Sequence, residues 1–145
     1  MTTLTAPTSG HSIGEASRRS GFSMDTLRYY EKIGLLVDIE RSSTGHRCFS
    51  DADLSWLGML KCLRDTGMPV AEMLKFAELV RAGDHTIGER IHVLEDHHRR
   101  LVAHIAHLRD EQNGITAKID FYKSHRLRPR CSHTGCHASS ASASG

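Results

Sequence analysis

A seven-residue repeat of mostly apolar side chains runs from Thr86 to about Lys123 and is the strongest constraint on the fold. One row of the repeat holds Ile87, Leu94, Leu101, Leu108, Ile115 and Tyr122, and the other holds Ile91, His98, Ile105, Gln112 and Ile119. Five successive heptads are typical of a coiled coil. At 1.5 Å per residue this helix would be about 55 Å long, too long for one small core to cover. It therefore requires a partner helix, most simply a second copy of the chain.

The apolar members of the two rows are the predicted dimerisation residues. They are Ile87, Ile91, Leu94, Leu101, Ile105, Leu108, Ile115 and Ile119. The polar seam residues His98 and Gln112 cost stability but can select the register and orientation of the two helices. The other arm histidines, His92, His97, His104 and His107, are interpreted as solvated or seam residues.

Two short helices are predicted ahead of the repeat. Ser12 is positioned to cap a helix through Ala16 to Arg19, with Glu15 completing an S-x-x-E capping box. Gly21 turns the chain, and Ser23 is positioned to cap a second helix over Met24 to Ile33, which Gly34 stops. Two short helices joined by a glycine-containing turn form a helix-turn-helix.

Residues 35–49 change to an alternating pattern around the segment SSTG, which predicts a small hairpin, or wing. Ser50 then caps a helix over residues 51–65, and Pro69 begins another that Gly83 closes. The predicted fold is mainly α. Its parts are a disordered tail over 1–11, a winged helix-turn-helix head over 12–83, an antiparallel coiled-coil helix over 84–124, and a flexible tail over 125–145.

Composition excludes several classes of protein. The formal net charge is only +2, so binding to nucleic acid must be argued from where the cations lie. The four cysteines are scattered and no leader-like segment stands out, which favours reduced thiols and a cytoplasmic location. No apolar run approaches the roughly 20 residues of a bilayer-spanning helix, so no membrane partner is expected. No paired nucleophile and base, glycine-rich phosphate loop or carboxylate pair indicates an enzyme.

Specific motifs carry a resemblance over residues 12 to about 123. The string IGEASRRSGFSMDTLRYYEKIGLL is followed by RSSTGHRCFSDADL and by LKCLRDTGMPVAEM. In this order and spacing the chain resembles the MerR family of bacterial transcription regulators. The resemblance implies a homodimer that binds a pseudo-palindromic promoter element. It also implies that the dimer twists and bends the DNA, so that RNA polymerase meets aligned promoter boxes.

The resemblance also implies which residues contact DNA. The second helix would enter the major groove, with Ser23, Met24 and Thr26 near base edges. Thr26 is preferred to Asp25 as a base contact, because DNA phosphates repel a carboxylate. Asp25 could contact a base only by accepting a hydrogen bond from a cytosine amino group. The implied phosphate contacts are Arg28, Tyr30, Arg41, His46 and Arg47. For Tyr30 a plain core role stays open, and Leu27, Tyr29 and Leu35 are interpreted as packing.

Cys62 is the predicted sensor. Its surroundings, WLGMLKCLRDTGM, resemble the aldehyde- and thiol-stress-responsive branch of the family, the AdhR/NmlR-like regulators. Alkylation or oxidation of this thiol would change packing between the DNA-binding head and the long helix. The alternative is that Cys62 only fills space among Met59, Leu60 and Leu63.

A second cysteine arrangement offers another trigger. The segment CSHTGCH places Cys131, His133, Cys136 and His137 close together, a donor set that suits zinc or copper(I). A metal-responsive regulator is therefore the alternative to thiol sensing, and otherwise no cofactor is required. An alternative of another class is a coiled-coil adaptor that keeps the helix-turn-helix for protein contacts.

Overall fold

A computed structural model describes residues 10–127, and this part of the chain is mainly helical. Its elements are α1 (Ile13–Ser20), α2 (Met24–Ile33), β1 (Glu40–Arg41), β2 (Arg47–Cys48), α3 (Asp51–Asp65), α4 (Val70–Ala82), a 3₁₀ turn (Asp84–Thr86) and α5 (Ile87–Arg126). The chain divides into two compact units, one up to Ala103 and one from His104 onward. No helix among residues 10–127 is both long and apolar enough to cross a membrane.

Serine caps set the starts of the first three helices. The Ser23 hydroxyl accepts from the backbone N–H of Thr26 at 3.1 Å, and Ser50 forms a reciprocal capping box with Asp53. The Ser12 hydroxyl likewise accepts from Glu15 N–H at 3.2 Å. The Glu15 carboxylate, predicted to complete a capping box, pairs with His11 and Arg19. The bounds predicted for α2 and α3 are confirmed.

The wing, residues 40–48, is a minimal hairpin. Its antiparallel strands are two residues long and pair Glu40 with Cys48 and Arg41 with Arg47. At the tip, Gly45 adopts a φ of 83°, a left-handed conformation that glycine reaches without strain. The wing is followed by a single bridge between Phe49 and His11, which fixes its base to the segment that precedes α1.

The core lies in the first unit and comes from all four short helices and the segments that join them. Its buried members are Ala16, Phe22, Leu27, Tyr30, Leu35, Leu36, Phe49, Leu57, Leu60, Leu63, Met68, Met73, Phe76 and Ala77. Trp56 stacks on Phe76 with ring centroids 6.0 Å apart, and its indole N–H donates to the carbonyl of Leu35 at 2.9 Å. The packing roles predicted for Leu27 and Leu35 are confirmed.

The first unit continues past the predicted boundary at residue 83 to Ala103. The start of α5 packs on the head, because Leu94 is partly buried against the core and Arg100 pairs with Glu72 of α4. His97 is only 7% exposed, with Nε2 located 2.7 Å from the Thr66 hydroxyl. Interpreting His97 as a solvated or seam residue was therefore wrong. The heptad pattern continues through this stretch, but one side of the helix already has a partner within the chain.

Most of the predicted dimerisation residues remain uncovered in a single chain. Six of them are between 39% and 63% exposed: Ile87, Ile91, Ile105, Leu108, Ile115 and Ile119. Four of these six lie in the second unit. Burying such side chains is favourable by roughly 1.5 to 3 kcal/mol each. Packing of another helix against this row would therefore be strongly stabilising.

Candidate nucleic-acid interface

The amino end of α2 presents the residues predicted to reach base edges. Ser23, Met24 and Asp25 are exposed, and Thr26 is half-buried. The Thr26 hydroxyl lies 2.8 Å from that of Ser23, so these two predicted contacts form one hydrogen-bonded pair. Met24 offers an apolar surface beside them, suited to a thymine methyl group.

Four of the five predicted phosphate contacts surround one depression. This depression, which we call the cradle, is about 200 Å³ in volume. It is lined by Ser12, Ile13, Arg28, Arg41, Gly45, His46 and Arg47. The start of α1, the outer face of α2 and the wing thus converge on a single basic site. Because guanidinium groups and helix starts both favour anions, the cradle can hold a phosphate.

Glu31 accepts hydrogen bonds from both wing arginines, a contact that was not predicted from the sequence. Its Oε2 accepts from Nε of Arg47 at 2.8 Å, and its Oε1 accepts from Nη2 of Arg41 at 3.3 Å. Nη1 of Arg41 also donates to the Gly45 carbonyl at 3.2 Å, across the wing turn. Residue 31 is far from 41 and 47 in the sequence, so no local pattern signals these contacts.

The fifth predicted phosphate contact, Tyr30, is a core residue, which corrects that assignment. Its side chain is 3% exposed and packs edge-on against Phe22, with ring centroids 5.2 Å apart. Burial is also the main reason that the pKa of the Tyr30 hydroxyl is raised above 10.0. Tyr29, predicted to pack, is instead 50% exposed. The two adjacent tyrosines have exchanged their predicted roles, and Tyr29 becomes the aromatic DNA-contact candidate.

Comparisons with known proteins agree with this geometry. Residues 11–78 match the family model described as MerR HTH family regulatory protein. An HTH-type transcriptional regulator of Haemophilus influenzae is 37% identical over 113 residues, which cover 78% of this chain and 84% of that protein. The chain belongs to the MerR family.

Solved structures of MerR family regulators share the fold. One is HiNmlR, described as a MerR family regulator lacking the sensor domain, bound to promoter DNA. It has a TM-score of 0.74 and 36% identity to this chain, and the alignment covers 81% of this chain and 93% of HiNmlR. The regulator AdhR of Bacillus subtilis is 31% identical over 90 residues, 62% of this chain and 64% of AdhR. The chain is thus a DNA-binding transcriptional regulator and, as predicted, not an enzyme.

Cys62 of this MerR family chain is exposed on α3, which contradicts the space-filling interpretation. The two cationic residues near it in the sequence, Lys61 and Arg64, contact other side chains. Lys61 pairs with Asp65 at 2.5 Å, and the Arg64 guanidinium lies 5.4 Å from the Phe22 ring centroid. The Cys62 thiol is therefore accessible to small reagents.

The predicted metal ligands Cys131, His133, Cys136 and His137 lie outside the described residues. Within residues 10–127, no group of three or more His, Cys, Asp or Glu side chains is arranged to hold a metal ion.

Proposed function

We propose that two copies of this MerR family regulator bind one pseudo-palindromic promoter element and switch transcription by distorting it. The observation that carries the proposal is the cradle, where Arg28 of α2 and Arg41 and Arg47 of the wing surround one depression beside the start of α1. Phosphate contacts of this kind fix the register of a protein on DNA without reading sequence. The exposed start of α2, beside the cradle, is then free to contact base edges.

Homodimer formation is supported by the uncovered apolar row on α5. Ile105, Leu108, Ile115 and Ile119 are at least 39% exposed and recur at heptad spacing. An exposed row of this length is a liability unless another helix covers it. A second copy in antiparallel orientation supplies the same apolar row. The resulting dimer has two DNA-binding heads, one for each half of a palindrome.

Switching through DNA shape is the mechanism that the family membership favours. Few side chains at the start of α2 can read bases, so part of the specificity must come from how easily the sequence deforms. The HiNmlR structure, which is bound to promoter DNA, supports the choice of double-stranded DNA as partner. RNA polymerase would then sense the regulator indirectly, through the altered alignment of promoter boxes.

Aldehyde, electrophile or thiol stress acting at Cys62 is the proposed trigger. The exposure of the thiol and the similarity to AdhR support this choice. The carbonyl of Cys62 accepts from the Thr66 hydroxyl at 2.7 Å, and Thr66 in turn contacts His97 of α5. Modification of Cys62 would therefore act beside the joint between α3 and α5. No cofactor is required, and zinc or copper sensing by the Cys131–His137 segment is the competing trigger.

Selection of DNA in vitro followed by titration tests the DNA-binding proposal. The full-length protein is used to enrich duplexes from a random pool, and the selected duplex is titrated by gel shift at several salt concentrations. We expect an enriched palindrome and an affinity that falls steeply with salt, because each phosphate contact releases counterions. Arg28→Ala should make this dependence shallower, whereas Arg99→Ala on α5 is the matched control. A chain that enriches no sequence would instead be the adaptor.

A further inference from the structure

Glu31 lies near the carboxyl end of α2, and its carboxylate faces the two wing arginines that line the cradle. Its side chain is 27% exposed, and each carboxylate oxygen accepts from a different wing arginine. We propose that Glu31 is a positioning residue that orients Arg41 and Arg47 for specific DNA contacts. The inference rests on the proposed DNA-binding function and names the residue that gives the cradle its shape.

The wing is too small to hold its own orientation. Its strands contribute only two residues each, and an isolated two-stranded hairpin is marginally stable in water. The backbone bridge between His11 and Phe49 fixes only the base of the wing, so side chains must restrain the rest of the hairpin relative to α2. The bonds from Glu31 to Arg41 and Arg47 join the wing to α2, which is the element that reads bases.

The bonds to Glu31 leave donors for DNA on the Arg47 guanidinium, whereas Arg41 is occupied by Glu31 and the wing turn. Within the described residues, Arg47 uses its Nε for Glu31, so its two terminal nitrogens can reach a phosphate. Arg41 uses both terminal nitrogens, one for Glu31 and one for the Gly45 carbonyl. Arg41 thereby locks the wing turn, whereas Arg47 is aimed at the cradle.

The sign of the expected effect separates positioning from simple electrostatics. A carboxylate near DNA repels phosphates, so removing its charge should tighten binding to any duplex if charge were its only role. If Glu31 positions the wing, removing its charge should weaken binding to the selected duplex while leaving non-specific binding equal or tighter. The readout is therefore the ratio of the affinity for the selected duplex to the affinity for non-specific duplex. A change in charge alone does not lower this ratio.

The experiment compares Glu31→Gln with a matched control, Glu40→Gln. Glu40 is an exposed carboxylate in β1 of the same wing, and it has no ion pair within the described part of the chain. Each variant is titrated against the duplex selected by the wild-type protein and against a scrambled duplex of equal composition. We expect Glu31→Gln to weaken specific binding by about tenfold, the scale of one lost hydrogen bond to a charged group. Glu40→Gln should keep the wild-type ratio.

Glu31→Asp is the second variant, because it keeps the charge but shortens the reach. We expect Glu31→Asp to lower the affinity ratio as well. If Glu31 acted through its charge alone, this variant would keep the wild-type ratio. Thermal melting of each variant checks that the head is folded. The proposal is overturned if Glu31→Gln binds the selected duplex as tightly as wild type, or if its specific and scrambled affinities fall equally. Failure of the wild-type protein to enrich any duplex would instead sink the proposed function itself.

Discussion

Nε2 of His97 lies 2.7 Å from Oγ1 of Thr66 and joins the start of α5 to the carboxyl end of α3. A hydroxyl has a single proton. When Thr66 donates to the Cys62 carbonyl at 2.7 Å, it must therefore accept from the His97 ring N–H. The contact is thus a short chain that links the segment carrying Cys62 to the long helix.

Thr66→Val should destabilise the head, because it leaves the buried His97 ring nitrogen without its partner. We expect a loss of about 1 to 3 kcal/mol, the usual cost of an unsatisfied buried polar group. Urea denaturation of the full chain measures it. Thr116→Val is the matched control, since Thr116 is exposed and, among residues 10–127, its hydroxyl donates only to the carbonyl of Gln112 in its own helix. Equal losses in the two variants would contradict this role for Thr66.

The adjacent tyrosines of α2 should respond in opposite ways to replacement by alanine. Tyr30→Ala empties a core position beside Phe22 and should cost about 3 to 5 kcal/mol in unfolding free energy. Tyr29→Ala should change stability by no more than about 0.5 kcal/mol, the range of surface substitutions. The same Tyr29→Ala protein should bind the selected duplex more weakly. Loss of folding with Tyr29→Ala, but not with Tyr30→Ala, would reverse our assignment.

Acidification should weaken the contact between α4 and the first part of α5. The hydrogen bond from Arg100 is the main reason that the pKa of Glu72 is lowered from 4.5. A depressed pKa means that the stabilisation is present above pH 4.5 and is lost as pH falls through the folded-state value. Urea midpoints at pH 6 and pH 3.5 should therefore differ more for wild type than for Glu72→Gln. Glu78→Gln, at an exposed position of α4, should behave like wild type.

Cys62→Ser should abolish the response of a reporter promoter to aldehydes and thiol-reactive electrophiles while leaving DNA binding intact. The reason is that the serine hydroxyl is a far weaker nucleophile than the thiolate. Cys48→Ser is the control, because that thiol is only partly exposed in the wing. A second chain ending before Cys131 tests the metal alternative with zinc and copper. Full induction of Cys62→Ser by aldehydes would exclude the thiol switch.

Local chemistry made the short helices predictable. Ser23 and Ser50 accept from backbone N–H groups three residues ahead, so the signal and the structure lie in the same few residues. The cradle arginines were found by motif position, which carries the spacing of the fold. Sequence reasoning therefore located both the recognition helix and the wing.

Contacts between distant elements were not predictable. The Glu31 bonds reach across 10 and 16 positions, and that of His97 to Thr66 across 31. The heptad pattern of α5 continues through His97, so it does not reveal that this turn packs on the head. Tyr29 and Tyr30 are neighbours on a helix and point about 100° apart, and only the packing of α2 decides which of them is buried.

Two chains should bind one promoter site together, each placing its α2 and wing on one half of the site. Native mass spectrometry of the full-length protein with the selected duplex measures this directly. We predict two chains per duplex, and we expect Leu108→Asp, a charge placed in the apolar row of α5, to lose that complex. A complex of one chain per duplex that binds as tightly as wild type and resists Leu108→Asp would contradict the account.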